Sequence, residues 1–174
     1  MKIIAFAGST SSTSINRQLV SYAASLFNES ESEVLDLNDY EVAIYSQDKE
    51  QQEGIPNSIV SLAAKTDAAD LILISLAEHN GSYSAAFKNT YDWLSRIPNR
   101  KVFGETPVFL MATSPGGRGG AGVLEAAQGR IPRDGSELVG VFSLPSFGAN
   151  FLEGKIANEE KDTELKQLVQ KIKG

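Results

Sequence analysis

The chain has 174 residues, 41% of them hydrophobic and 22% charged, enough for a full core in a soluble globular protein. A net charge of −6 argues against a surface that tracks nucleic-acid phosphates, which needs clustered Lys and Arg. With no cysteine and one histidine, His79, the composition excludes disulfides, thiol nucleophiles, zinc–thiolate sites and multi-histidine metal centres.

The apolar run "KIIAFA" (2–7) reads as a strand buried on both faces, and it is too short for the core of a signal peptide. After the stretch "GSTSSTSIN" (8–16), Ile15, Leu19, Ala23 and Phe27 recur every four residues, which predicts a helix ending near Asn28. "SEVLDLND" (32–39) reads as a second strand. Residues 57–69 fit a helix with Ile59, Leu62 and Ala63 inward and Asn57 as N-cap. "DLILISLA" (70–77) is the clearest strand of the chain, and "SAAFKNTYDWLSR" (84–96) puts Phe87, Tyr91 and Leu94 on one helical face ahead of Pro98. "TPVFLMATS" (106–114) is a fourth strand, residues 121–130 a helix and "SELVGVFSLP" (136–145) a fifth strand. A last helix from about Asn158 turns Leu165, Leu168, Val169 and Ile172 inward. No repeat or linker divides the chain, so a single domain over residues 1–174 is expected. No stretch approaches the ~18–20 apolar residues of a membrane span, so no membrane partner and a cytoplasmic location are expected.

Strands alternating with helices imply an α/β architecture: a parallel five-stranded sheet with helices on both faces, a three-layer sandwich. In such sheets ligands bind outside the carboxyl ends of the strands. Three unusual loops, 8–16, 77–83 and 114–120, each follow a strand and so belong on one rim.

The first loop is rich in hydroxyls, carries no charge and runs straight into a helix. It is either a capped polar turn or an anion cup, in which helix N–H groups and Ser9, Thr10, Ser11, Ser14 and the Asn16 amide hold a phosphate without a cation. Neither the P-loop pattern nor G-x-G-x-x-G is present. In the second loop, "AEHNGSYS" (77–84), Asn80-Gly81 signals a turn that lets a flat ring approach the backbone, beside Glu78 and His79. The alternative is an ordinary connection with His79 at the surface. "SPGGRGGAG" (114–122) has five glycines in nine residues, and either wraps a ligand edge or is mobile. Arg118 could meet a pyrophosphate or a 2′-phosphate.

Taken together, the loops resemble those of the NAD(P)H-dependent FMN reductases of the flavodoxin-like fold, a family with quinone, azo-dye and chromate reductases among its members. The family pattern G-S-x-R-x-x-S-x-N stands here as Gly8-Ser9-Thr10-Ser11-Ser12-Thr13-Ser14-Ile15-Asn16. P-E-Y-N-G-S appears as Ala77-Glu78-His79-Asn80-Gly81-Ser82, followed by Lys88-Asn89, Asp92-Trp93 and Ser95-Arg96. S-P-G-G-x-G-G appears as Ser114 to Gly120, including Gly116 and Gly117. The resemblance implies strand order 2-1-3-4-5. It also implies FMN as cofactor, with its phosphate held by Ser9, Thr10, Ser11, Ser14, Ile15 and Asn16. The ring would lie along Ala77, Glu78, His79, Asn80 and Gly81, with Ser114, Gly116 and Gly117 over its other edge. A homodimer or homotetramer is implied as well. The family arginine is Ser11 here, the tyrosine His79 and the proline Ala77. The expected activity is hydride transfer from NAD(P)H to bound FMN and on to a small-molecule electron acceptor, with His79 a candidate proton donor. The alternatives are an FMN-binding electron carrier that does not oxidise NAD(P)H, or a relative that binds another phosphorylated ligand.

Overall fold

The structure, a computed structural model, describes residues 1–27 and 31–174. One parallel sheet holds β1 (Lys2–Gly8), β2 (Glu31–Leu35), β3 (Leu71–Leu76), β4 (Val108–Thr113) and β5 (Leu138–Leu144) in the order β2-β1-β3-β4-β5, as expected. The helices are α1 (Ile15–Ser25), α2 (Gln47–Glu53), α3 (Asn57–Asp67), α4 (Ala85–Leu94), α5 (Ala121–Arg130), the single turn α6 (Phe147–Asn150) and α7 (Glu159–Lys173).

The unbroken apolar runs make β3 and β4 buried along their whole length, as strands covered on both faces must be. Alternate side chains go to opposite layers. Ile4, Phe6, Ile72, Ile74, Val108 and Leu110 meet α3, α4 and α5, whereas Ile3, Ala5, Leu71, Leu73, Phe109 and Met111 meet α1 and α7. Since a one-residue slip would exchange these two sets, packing on both sides fixes the register Ile4↔Ile72↔Val108. Among the described residues no helix is long and apolar enough to cross a membrane.

Several expectations are corrected. The second strand stops at Leu35, not residue 39. The Asp36 carboxylate accepts the Asn38 N–H at 3.0 Å and starts a 3-10 turn, Leu37–Tyr40, which carries Leu37 and Tyr40 into the core. α1 ends at Ser25, and Phe27 closes the turn through its N–H to Ala24 C=O; Asn28 lies outside the described residues. Asn57 is the first residue of α3, not its cap; Pro56 holds that place with no side-chain hydrogen bond. α2, "QDKEQQE", buries nothing and so has no apolar period to betray it. It is held instead by its Ser46 cap and by Arg96, whose Nε donates to Glu50 at 2.9 Å.

α4 begins against the end of β1. The buried Ser84 hydroxyl donates to Gly8 C=O at 2.7 Å and accepts the Phe87 N–H at 3.1 Å. Replacing Ser84 with Ala removes both bonds inside the protein. The expected cost is about 2 kcal/mol of stability, read from urea denaturation at unchanged far-UV circular dichroism.

Candidate functional site

β1, β3 and β4 are neighbours in register, Gly8↔Leu76 and Leu76↔Ala112, so the loops that leave their carboxyl ends emerge side by side. The first loop is a chain of serine-centred turns. Ser9 Oγ accepts the Ser11 N–H at 3.2 Å, and Ser11 Oγ the Thr13 N–H at 3.3 Å. Ser14, buried, caps α1 by accepting the Arg17 N–H at 3.2 Å. The N–H groups of Ile15 and Asn16, the first of α1, have no protein acceptor among the described residues and stand at the positive end of the helix.

Two clasps hold this loop. Asn38 Nδ2 donates to Thr10 C=O at 3.2 Å and to Asp36 at 2.8 Å, and Asp36 pairs with Arg17 of α1. The Asn38 backbone N–H, its side-chain amide and the Arg17 guanidinium together hold the Asp36 carboxyl below its usual value. The other clasp is the buried amide of Asn16. Its Oδ1 accepts the Thr113 N–H at 3.0 Å and the Ser75 hydroxyl at 2.8 Å, and its Nδ2 donates to Thr113 C=O at 3.2 Å. One side chain thus joins α1, β3 and β4.

The second loop is a hairpin, Glu78–His79 against Ser82–Tyr83, with Asn80 (φ 53°) and Gly81 (φ 77°) at its tip. Successive left-handed residues are what a type I′ turn demands and what Asn-Gly supplies. The Glu78 carboxylate accepts the Val123 N–H of α5 at 2.9 Å. In the third loop, Gly116 C=O accepts the Ser146 N–H at 2.9 Å, Ser114 C=O the Phe147 N–H at 3.0 Å and Gly119 C=O the Ser143 hydroxyl at 3.0 Å. Between the two readings of this loop, those bonds favour an anchored backbone over a mobile one. Gly119 must be glycine, because at φ 58° an added Cβ would stand 3.0 Å from Pro145 N.

A cleft of about 220 Å³ opens where the loops meet. Ser9, Ser11, Ser14, Ile15 and Asn16 reach it from the first loop, Ala77, Glu78 and His79 from the second, and Ser114 from the third. Thr13, Thr113 and Pro115 complete its lining. Pro115 belongs to the S-P-G-G-x-G-G pattern, whereas Thr113 carries no motif signal beyond ending a strand at the rim. Thr10 lines a neighbouring hollow of about 310 Å³ with Asn38, Tyr40 and Ile44. Asn80 and Gly81 are exposed at the hairpin tip, as are Gly116, Gly117 and Arg118 on the third loop. A larger groove of about 470 Å³ shares Thr13 and Ser14 with the cleft and runs along α1 past Arg17 and Tyr22 to Phe151.

A sequence model of NADPH-dependent FMN reductases matches residues 1–130, the span that contains all three loops. The chain belongs to the NADPH-dependent FMN reductase family. It is 37% identical to a quinone reductase of Escherichia coli over 81 residues, 47% of this chain and 43% of that one. The match therefore spans less than half the length of that relative. An NADPH:quinone oxidoreductase of Arabidopsis thaliana is 28% identical over 97% of this chain and 88% of its own length. Among solved structures, a flavoenzyme NAD(P)H:(acceptor) oxidoreductase from Paracoccus denitrificans superposes with a TM-score of 0.78. The two share 22% identity over 97% of this chain and 93% of that one, a likeness of fold.

Two outcomes test the clasps in this family member. Asn16→Ala strands a buried N–H, C=O and hydroxyl, and stability is expected to fall by roughly 3 kcal/mol in urea denaturation. For Asp36, a folded-state pKa below the unfolded value (~4) means its contribution is present above that pH. It is lost as pH falls through the lower folded value. The Tm gap between the native chain and Asp36→Asn should therefore be open at neutral pH and close in acid.

Proposed function

We propose that the chain is an FMN-dependent oxidoreductase that takes reducing equivalents from NAD(P)H and delivers them to a small-molecule acceptor such as a quinone, an azo compound, a metal oxyanion or free flavin. The observation that carries this reading is the convergence of the three loops on one cleft floored by neutral donors at the start of α1. The residues present fit FMN. Two unpaired helix N–H groups and the hydroxyls of Ser9, Ser11 and Ser14 are the donor set a phosphate takes. At Gly81, Gly116 and Gly117 an added Cβ would meet nothing within 4 Å, which leaves bare backbone for a flat ring to lie against. About 220 Å³ suits the phosphate end of a nucleotide rather than a whole flavin, so the ring is assigned to the open ground over the hairpin.

When bound, FMN supplies the hydride chemistry, accepting from NAD(P)H and giving to the second substrate. The chain's own part is to bind and orient. The N–H groups of Ile15 and Asn16 and the Ser9, Ser11 and Ser14 hydroxyls hold the phosphate. Residues 77–81 carry the ring, and their backbone donors stabilise negative charge that develops there. His79 stands exposed at the edge of the cleft, where it can pass a proton to an acceptor. A cysteine-free chain fits a reaction that asks no nucleophile of the protein. The homodimer or homotetramer that the resemblance implies belongs to this reading.

The test is direct. Purified protein loaded with FMN and mixed anaerobically with NADPH should bleach near 450 nm and recover its colour on adding a quinone. The paired change Ser9→Ala with Ser14→Ala should weaken FMN about 10- to 100-fold by fluorescence quenching, part of it through the lost helix cap. Bleaching that fails on the loaded protein favours the electron carrier, and FMN that binds the double variant as tightly as the native chain removes the cup.

A further inference from the structure

A carboxylate on the wall of a phosphate cup is out of place electrostatically, and Glu78 lines this one. Its surroundings supply the reason. α5 begins at Ala121 after Gly120, which is in the left-handed region, offers no side-chain cap and is followed by no acidic residue in the first turn. The helix thus lacks the anion its N-terminus favours, and Glu78, 45 residues earlier, provides it through Oε2 to the Val123 N–H at 2.9 Å. Contact is close on the neighbouring atoms too. A Cβ at Gly122 would lie 3.0 Å from Glu78 Oε2 and 3.1 Å from Gly81 C=O, so any larger residue pushes the hairpin tip away from α5. The hairpin's ends are held by β3 and by the Ser84 hydroxyl on Gly8 C=O, but the hairpin between them is short. It pairs only Glu78↔Tyr83 and His79↔Ser82, a length marginal on its own, with Tyr83 leaning on Phe87 at 5.4 Å between ring centres.

We propose that Glu78 is a positioning residue: its carboxylate locks the 78–83 hairpin to the N-terminus of α5, so that the ring-bearing hairpin and the glycine-rich loop leading into α5 form one wall. This rests on the flavin reading given above.

The test compares Glu78→Gln, which keeps an acceptor oxygen, with Glu78→Ala, which does not. Two readouts are taken: amide exchange of the chain without flavin, and affinity for FMN and for riboflavin, which lacks the phosphate. Glu78→Ala should speed exchange at Val123 and across residues 79–83, and weaken FMN and riboflavin by the same factor, roughly tenfold. Glu78→Gln should retain most of both, whereas Ser14→Ala should lose FMN affinity and leave riboflavin untouched. Gly122→Ala keeps the carboxylate and displaces the hairpin, so it should repeat the equal loss even if Glu78→Ala folds poorly. The clasp is overturned if Glu78→Ala binds both flavins like the native chain. It is also overturned if Glu78→Gln falls as far as Glu78→Ala, or if exchange speeds up at Val123 alone, the mark of a helix cap with no hold on the hairpin. A native chain that binds neither flavin sinks the flavin reading instead, and the exchange measurements still decide the clasp.

Discussion

The carboxamide of Asn16 sits where three segments leave the sheet, and both its ends are spent on them: Oδ1 on Thr113 N–H and the Ser75 hydroxyl, Nδ2 on Thr113 C=O. Buried polar groups must be paired, and each left unpaired costs on the order of 1–3 kcal/mol. No apolar side chain could satisfy this junction, and no shorter one could reach across it. The apolar face of α1 seats the helix on the sheet, and Asn16 ties its first turn to β3 and β4, which fixes the place of the helix N-terminus in the cleft. The family resemblance groups Asn16 with the phosphate ligands. In the fold its side chain is a strut, and what it leaves toward the cleft is a backbone N–H with no acceptor among the described residues.

That division shapes the chemistry of the cup. The resemblance puts an arginine where this chain has Ser11, and the nearest guanidinium in sequence, that of Arg17, is paired with Asp36. What remains are dipoles: two helix N–H groups, several hydroxyls and the end of α1. Dipoles act over short range, a helix end losing its effect within one turn, and even a lone surface cation is largely screened beyond about 10 Å at ordinary ionic strength. A chain with net charge −6 gains no long-range pull on an anion, so recognition must come from close geometry. This is why the clasps around the loop matter: donors that must reorganise on binding would surrender what their placement gains.

The sheet was legible because its causes are local. Runs buried on both faces announce β1, β3 and β4, four-residue spacing announces α1 and α4, and Asn80-Gly81 announces a tight turn. The failures share a different cause. α2 has no buried residue and hence no period, and Asp36 ends β2 early by capping a turn that apolar Leu37 and Tyr40 prefer to a longer strand. The clasps were hidden for the same reason at longer range. Asn16 and Thr113 are 97 residues apart and Glu78 and Val123 are 45 apart, and pairings of that kind leave no trace in spacing. Motif likeness marks such residues without saying whether they touch a ligand or each other.

The rim therefore consists of two sets of positions with opposite tolerances. Glu78, Asn16 and Ser84 make hydrogen bonds to main-chain groups of other segments, where a lost partner leaves a group unpaired. A Cβ at Gly116 or Gly117 would meet nothing within 4 Å, and the hydroxyls of Ser9 and Ser11 bond only within their own turn. Framework positions should accept few replacements, and Gly81 at φ 77° is held to its residue by the turn; under the proposed function, Ser9, Ser11, Gly116 and Gly117 are the positions that can change one at a time and retune affinity without loosening the fold. The serine at position 11 and the histidine at position 79 are changes of the second kind. Each lies on the wall of the cleft, and neither side chain clasps one rim loop to another. The separation is drawn by which side chains face main chain and which face the opening.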